Sequence, residues 1–402
     1  MRAFVIWLAL AGVASAQGDG EIKSFPKVDP YTNGDPGALQ KAGYASYGPF
    51  RFGDDHTTDQ IVTTMGGIPL LWVETEHFKL GSGLPEYTLK DDPKEKERIK
   101  GELERLQTRL PEVKVKTKKL DPWLRLHLFA QRLEELYASF MSAFGLQESE
   151  FPTAPPDPKK KSAGPYMGEG RYLGASSKFT VLLFDKRSHV GRYSLSYLGK
   201  SLGAPTRWHF EAVDSWLFLT AAEFLEGDYI NDSAFTCDVA SSVSHNLGSA
   251  FRGYHVTLPF AISEGLAHWF SRKIDPRFHF FSGLDLTKVR IRDEWNWAPS
   301  VRARVEHKVF PSTSDMLGWN DPEALEWAQH QILWSRMDYL IARDDGAAGK
   351  ILRMLKEPPK RLLSAEEIAE RASDAILTST GGDLDKFDAD WSDWVLRTYP
   401  KK

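Results

Sequence analysis

The sequence predicts an α+β protein: a small mixed sheet with an edge strand, packed on a mainly helical domain and preceded by an α/β N-terminal region. Three observations predict it. Apolar runs of strand length occur at Ile68–Val73 and Lys178–Phe184, helical periodicity separates them at 93–110 and 121–145, and beyond Asn231 the pattern is almost wholly helical.

At the N-terminus, Met1 and Arg2 form a positive start and Ala3–Val13 an apolar stretch too short to span a bilayer. Ala14-Ser15-Ala16 then resembles a small-residue cleavage site. Residues 1–16 are therefore expected to be a removable signal peptide cut near Ala16/Gln17, the alternative being an uncleaved anchor. A secreted or periplasmic product follows, with no transmembrane segment after cleavage. Residues 17–50 are rich in Gly, Pro, Asp and Lys without a sustained period, and read as an irregular leader.

Ile68–Val73 runs into Glu74–Leu80, where apolar and polar residues begin to alternate, and the whole reads as one strand. Ile99, Leu103, Leu106 and Leu110 lie on one stripe of a helix over 93–110, whose charged residues form a solvated face. A second helix runs from Asp121 to Gly145, with Asp121 as N-cap and Pro122 in the first turn. Four prolines and three lysines between Glu150 and Gly164 mark a linker over 151–164. The chain thus divides into a leader at 17–50, an α/β region at 51–150, the linker, and a C-terminal domain at 165–402. In that domain a strand is expected at 178–184, a helix at 188–198, and strands at 207–213 and 216–220. Helices follow from Asp232 or Ser233 to about Tyr254, from near Ser263 to Lys273, and from Asp321-Pro322 to Arg343. Shorter ones are expected at 346–356, 364–375 and 386–398.

The 402 residues carry 51 Lys and Arg against 55 Asp and Glu, a net charge of −4 that loss of Arg2 with the signal peptide takes to −5. This balance lacks the basic face that nucleic acid requires, so no nucleic-acid partner is expected. A composition of 42% hydrophobic and 26% charged residues sets aside collagen-like, coiled-coil and multi-span membrane classes. The one cysteine, Cys237, cannot form an internal disulfide and reads as a small buried apolar side chain.

Chemistry concentrates in Val239-Ala240-Ser241-Ser242-Val243-Ser244-His245-Asn246-Leu247 and in Ser263-Glu264-Gly265-Leu266-Ala267-His268-Trp269-Phe270. The second stretch resembles the third-ligand helix of gluzincin-type zinc peptidases, whose members often read Ser-Glu-Gly-[Phe/Leu]-Ala before aromatics. Such enzymes need two His one helical turn apart, a Glu beside the first as general base, and a carboxylate ligand from the next helix. Glu264 stands at the carboxylate position. In one register His245 is the second motif histidine, 19 residues before Glu264, and the motif reads Ser241-Ser242-Val243-Ser244-His245. Ala240 and Ser244 fit the family's flanks in that register. In the other, His245 is the first histidine and the motif reads His245-Asn246-Leu247-Gly248-Ser249. Either way the base is replaced, by Ser242 or Asn246, and a histidine is replaced, by Ser241 or Ser249. Neither a hydroxyl nor an amide holds a proton near neutral pH as a carboxylate does.

Beyond the motif, Trp216–Thr220 matches the edge strand beside a cleft, and Trp327-Ala328-Gln329-His330 leading to Tyr339-Leu340-Ile341 resembles the family's next long helix. Leu384, Phe387 and Trp391 resemble its closing helix. Over residues 165–400 the chain is similar to bacterial secreted proteins with a peptidase-MA-like domain. Trp327 stands where the family often has Tyr. His255, Trp269 and Trp327 are cleft-lining candidates. The residual metal donors are His245, Glu264 and His268; no cofactor is expected, with zinc left open at those three. Asp54-Asp55-His56 and Glu74-Thr75-Glu76-His77 resemble metal sites by composition alone. The resemblance implies a pseudopeptidase that binds a peptide or protein in its cleft. The alternatives are an active metal-dependent hydrolase with a non-standard site, and an envelope structural or assembly factor.

Overall fold

The computed structural model describes residues 25–152, 168, 170–253, 256–281, 295–359 and 361–401. The expected signal peptide, His255 and most of the expected linker lie outside them. Among the described residues the chain is mixed α and β, with thirteen helices, a five-stranded sheet and a two-stranded one.

From residue 25 onward the leader carries more structure than its composition suggests. Asp35 caps helix α1 (Pro36–Ala42) by accepting from the Ala38 N–H at 2.7 Å. Asp29, fully buried, accepts from the Thr32 hydroxyl at 2.6 Å and the Tyr47 hydroxyl at 2.5 Å, and pairs with His127 at 3.1 Å. These side chains give the segment the fixed partners that its irregular sequence does not advertise. Helix α2 (Thr58–Thr64) follows behind a reciprocal Thr57–Gln60 cap.

The stretch read as one strand is two, β1 (Leu71–Glu74) and β2 (Phe78–Ser82), paired antiparallel. Glu134 holds the reversal between them, accepting from the Thr75 hydroxyl at 2.5 Å and the His77 N–H at 2.9 Å. Strand β3 (Tyr87–Thr88) pairs with β4 (Lys119–Leu120) around helix α3 (Pro93–Gln107). Helix α4 (Pro122–Ala143) starts as expected, with Asp121 accepting from the Trp123 and Leu124 N–H groups at 3.0 Å each. Past the 151–164 segment come β5 (Phe179–Phe184), α5 (Arg187–Tyr197), β6 (Thr206–Phe210) and β7 (Ser215–Ala221).

The large sheet has the order β1-β2-β5-β7-β6, so it joins strands from both sides of that segment. Its three central strands run parallel and its two outer pairs antiparallel. The edge strands are therefore β1 and β6, and Trp216–Thr220, expected at an edge, lies inside β7 between β5 and β6. The shorter, more polar β6 pairs antiparallel with β7 and covers its outer side. Alternation divides the sheet's side chains: Leu182, Phe184, Leu217 and Leu219 pack toward α2 and α5, whereas Val181, Leu183 and Phe218 join the helical core.

The helical half holds α6 (Asp232–Ala250), α7 (Phe260–Ile274), α8 (Trp297–Glu306), α9 (Thr313–Leu317), α10 (Trp327–Ala342), α11 (Ala347–Leu355), α12 (Ala365–Thr380) and α13 (Leu384–Thr398). Two starts differ from the sequence expectation. Asn231 caps α6 by accepting from the Ala234 N–H at 2.8 Å. Asp232 is unavailable for that role because Arg98 and Arg132 each donate to it at 2.7 Å. Asp321 and Pro322 open only a short 3-10 turn, and α10 begins at Trp327 behind a reciprocal Glu326–Gln329 cap. No helix among the described residues is long and apolar enough to cross a membrane.

Candidate metal centre

Helices α6, α7 and α10 meet at Glu264, which is buried along with His245, His268 and His330. His268 follows Glu264 by one helical turn, so both project from the same side of α7. The close approach of α10 depends on Gly265: a Cβ there would lie 2.8 Å from the Leu333 carbonyl oxygen. The glycine in the Glu264-Gly265 pair thus lets α10 bring His330 to the carboxylate.

Glu264 is contacted on both oxygens. Its Oε1 lies 3.5 Å from His268 Nε2 and 3.6 Å from His330 Nδ1, while its Oε2 lies 3.5 Å from His245 Nε2. His268 Nε2 and His330 Nδ1 are 3.0 Å apart. Glu264, His268 and His330 form a group that could hold a metal ion, each offering one donor atom within 4.8 Å of the others. Tetrahedral zinc with bonds of about 2.0–2.1 Å sets its donors about 3.3 Å apart, so spacings of 3.0, 3.5 and 3.6 Å match a two-imidazole, one-carboxylate set.

The electrostatics suit that role. Burial pushes His268 down to about 3, against the pull of Glu264, and pushes His330 down to about 4. Burial and the Arg207 charge also lower His245. For Glu264, burial alone would raise the value; the His245 hydrogen bond and the surrounding histidines outweigh it and hold the carboxyl at about 2. Near neutral pH both imidazoles are thus uncharged and the carboxylate is charged, the charge states that ligation requires.

Aromatic rings close the group off. Phe281 lies 4.5 Å from the His330 ring and 5.2 Å from His268, and Trp297 lies 5.2 Å from His268. Exposures of 0% for His330 and 1% for Glu264 and His268 leave no approach for a substrate carbonyl, while His245 retains 8%. Among the described residues the group contains no second carboxylate to act as base.

The donor set expected from sequence was His245, Glu264 and His268. All three come together, but His245 reaches the carboxylate oxygen opposite the group, and His330 completes it. His330 was missed because nothing in local spacing links it to Glu264; only the packing of α10 on α7 does. Its position at the start of a long helix after the Ser-Glu-Gly-Leu-Ala stretch was the one available signal.

The altered motif positions lie on α6. Ser241 is buried and its carbonyl accepts from the Ser244 hydroxyl at 2.7 Å, while Ser242 is half-buried. Asn246 donates to the Leu217 carbonyl of β7 at 3.1 Å, and the Ser249 carbonyl accepts from Lys356 Nζ at 2.8 Å. Trp269 is buried, donating to Asp338 at 3.0 Å. Trp327, half-buried, sets its ring 4.9 Å from His279. Cys237 packs as expected, its thiol 3.4 Å from the Ser271 carbonyl across the α6–α7 seam. The two composition-only motifs are structural: His56 stacks on Tyr197 at 4.0 Å, and His77 stacks on Tyr137 at 3.8 Å while pairing with Glu134 at 2.6 Å.

A scan against protein-family models and a search of curated proteins found no match for this chain.

Proposed function

We propose that this chain is a secreted or periplasmic, gluzincin-like protein of the peptidase-MA-like type. It has lost peptide hydrolysis, holds zinc in a closed site formed by Glu264, His268 and His330, and binds a peptide or protein in its cleft. The observation that carries the reading is an enclosed two-imidazole, one-carboxylate set at tetrahedral donor spacing without a neighbouring base. A hydrolytic zinc site keeps one position open for water and substrate, and this set is sealed by Phe281 and Trp297. Bound zinc would supply a cross-link between α7 and α10. The resemblance of Ser263–Ala267 and the flanks of His245 to the gluzincin pattern supports the family part, and Ser241 and Ser242 in place of ligand and base support the loss of activity.

The test is metal analysis of protein purified without added zinc, paired with a peptidase assay. The reading expects about one equivalent of zinc and no chelator-sensitive cleavage. Cleavage abolished by chelator and restored by zinc would overturn the loss of activity; metal-free protein that takes up no zinc would overturn the site.

A further inference from the structure

Phe281 and Trp297, the two rings that close over His268 and His330, are tied to one side chain. Arg272 follows Glu264 and His268 on the same face of α7, at the spacing of successive helical turns. Its Nη1 donates to the Pro276 carbonyl at 3.2 Å and to His279 Nδ1 at 3.1 Å, and its Nη2 donates to the Trp295 carbonyl at 2.9 Å. These three acceptors stand on the two stretches of chain that carry the rings, 276–281 and 295–297.

The same guanidinium stacks on the cover itself. Its central carbon lies 3.9 Å from the centre of the Trp297 ring and 5.0 Å from that of Trp334. An arginine offers no acceptor, so His279 accepts at Nδ1 and carries its proton on Nε2. Held this way, the His279 ring stacks on Trp297 at 5.0 Å and stands 6.2 Å from Phe281. Arg272 is buried, so moving either ring outward gives up bonds to a desolvated cation. A lysine could not match three acceptors and a ring face at once. The shell of rings around a metal group decides what reaches it, and here one side chain holds that shell.

We propose that Arg272 is a positioning residue that controls access to the Glu264–His268–His330 group: it clasps Phe281 and Trp297 over the two imidazoles, and zinc enters and leaves when this clasp opens. The proposal rests on the zinc reading above and adds control of metal exchange to it.

The test has two arms, both on the full protein. In metal-free protein, carbethoxylation of His268 and His330 by diethyl pyrocarbonate, mapped by peptide mass, should run roughly tenfold faster in Arg272→Gln than in the parent, with Arg272→Lys between them. In zinc-loaded protein, loss of metal to excess chelator should accelerate by about the same factor while the equilibrium affinity stays within about threefold, because uptake accelerates as well. A residue that only supported the fold would lower the affinity instead. Phe281→Ala opens the cover and leaves every bond of Arg272 in place, so it should raise both rates by itself, and adding Arg272→Gln should raise them little further. Parent-like rates in folded Arg272→Gln or Arg272→Lys, as exchange by way of His245 would give, overturn the proposal. So do parent-like rates in Phe281→Ala, or an affinity that falls as far as the exit rate rises. Protein that takes up no zinc overturns the zinc reading alone, and the carbethoxylation rates then decide whether Arg272 guards the histidines.

Discussion

His268 Nε2 lies 3.0 Å from His330 Nδ1, although 62 positions separate the two in the chain. Glu264 Oε1 sits within 3.6 Å of both. Two neutral imidazoles and a carboxylate at that spacing offer three donors suited to one tetrahedral cation.

Metal retention should therefore rank the histidines. His268→Ala and His330→Ala each remove a donor, and zinc affinity should drop beyond the roughly 10–100-fold expected for loss of an outer partner. His245→Ala removes such an outer partner, the one facing Glu264 Oε2, and should fall within that range. Competition with a chelating dye, read for all three variants, checks the order; equal losses at His245 and His330 would contradict it.

Gly265→Ala should destabilise the protein by about 1–3 kcal/mol, because its Cβ would meet the Leu333 carbonyl at 2.8 Å and backbone cannot turn aside. Gly101→Ala is the control. It lies within α3, where a Cβ meets only the end of the Arg105 side chain at 3.8 Å, and should stabilise by roughly 0.5–1 kcal/mol. Urea midpoints that move in opposite directions would bear this out, and zinc binding should weaken only in the first variant.

Asp238 should make stability fall as pH rises. It is buried on α6, and burial lifts its carboxyl from 3.8 to about 7 against a hydrogen bond from Thr220 at 3.1 Å. Below the unfolded value both states hold the proton. Between 3.8 and about 7 the folded state alone holds it, so each rise in pH favours unfolding, and the full penalty stands above that window. Asp238→Asn removes the penalty. Its stability relative to the parent should climb between about pH 4 and pH 8 by up to about 4 kcal/mol, at 1.36 kcal/mol per pKa unit. A pH-independent difference in denaturant titrations would count against this account.

Asp232→Ala should cost about 3–5 kcal/mol, since it leaves Arg98 and Arg132 buried with only Glu102 between them. The same change removes the carboxylate through which the start of α6 meets Arg98 of α3 and Arg132 of α4. Thermal unfolding should show the loss directly.

Much of the architecture was legible because it depends on local chemistry. Asp121 with Pro122 marks the start of α4 by a cap that needs only its own next turn, and Leu103 and Leu106 mark the buried stripe of α3 by period alone. The apolar runs of β5 and β7 likewise announce strands before any partner is known. The reversal at Thr75–His77 was not legible, because the residue that stabilises it, Glu134, lies on α4 far along the chain. Neither was the order of the leader, whose Asp29 finds its partner His127 on the same helix.

The site divides in the same way. His245, Glu264 and His268 could be singled out from the sequence because helical spacing places Glu264 and His268 on one face and the stretch resembles a known ligand helix. That Trp216–Thr220 lies inside the sheet and that His330 joins Glu264 were decided only by the tertiary structure. These are distances between side chains on different elements, set by how α7 packs on α10 through Gly265 and by the order of strands in the sheet. A one-dimensional pattern carries the period of each element and not the contacts between them.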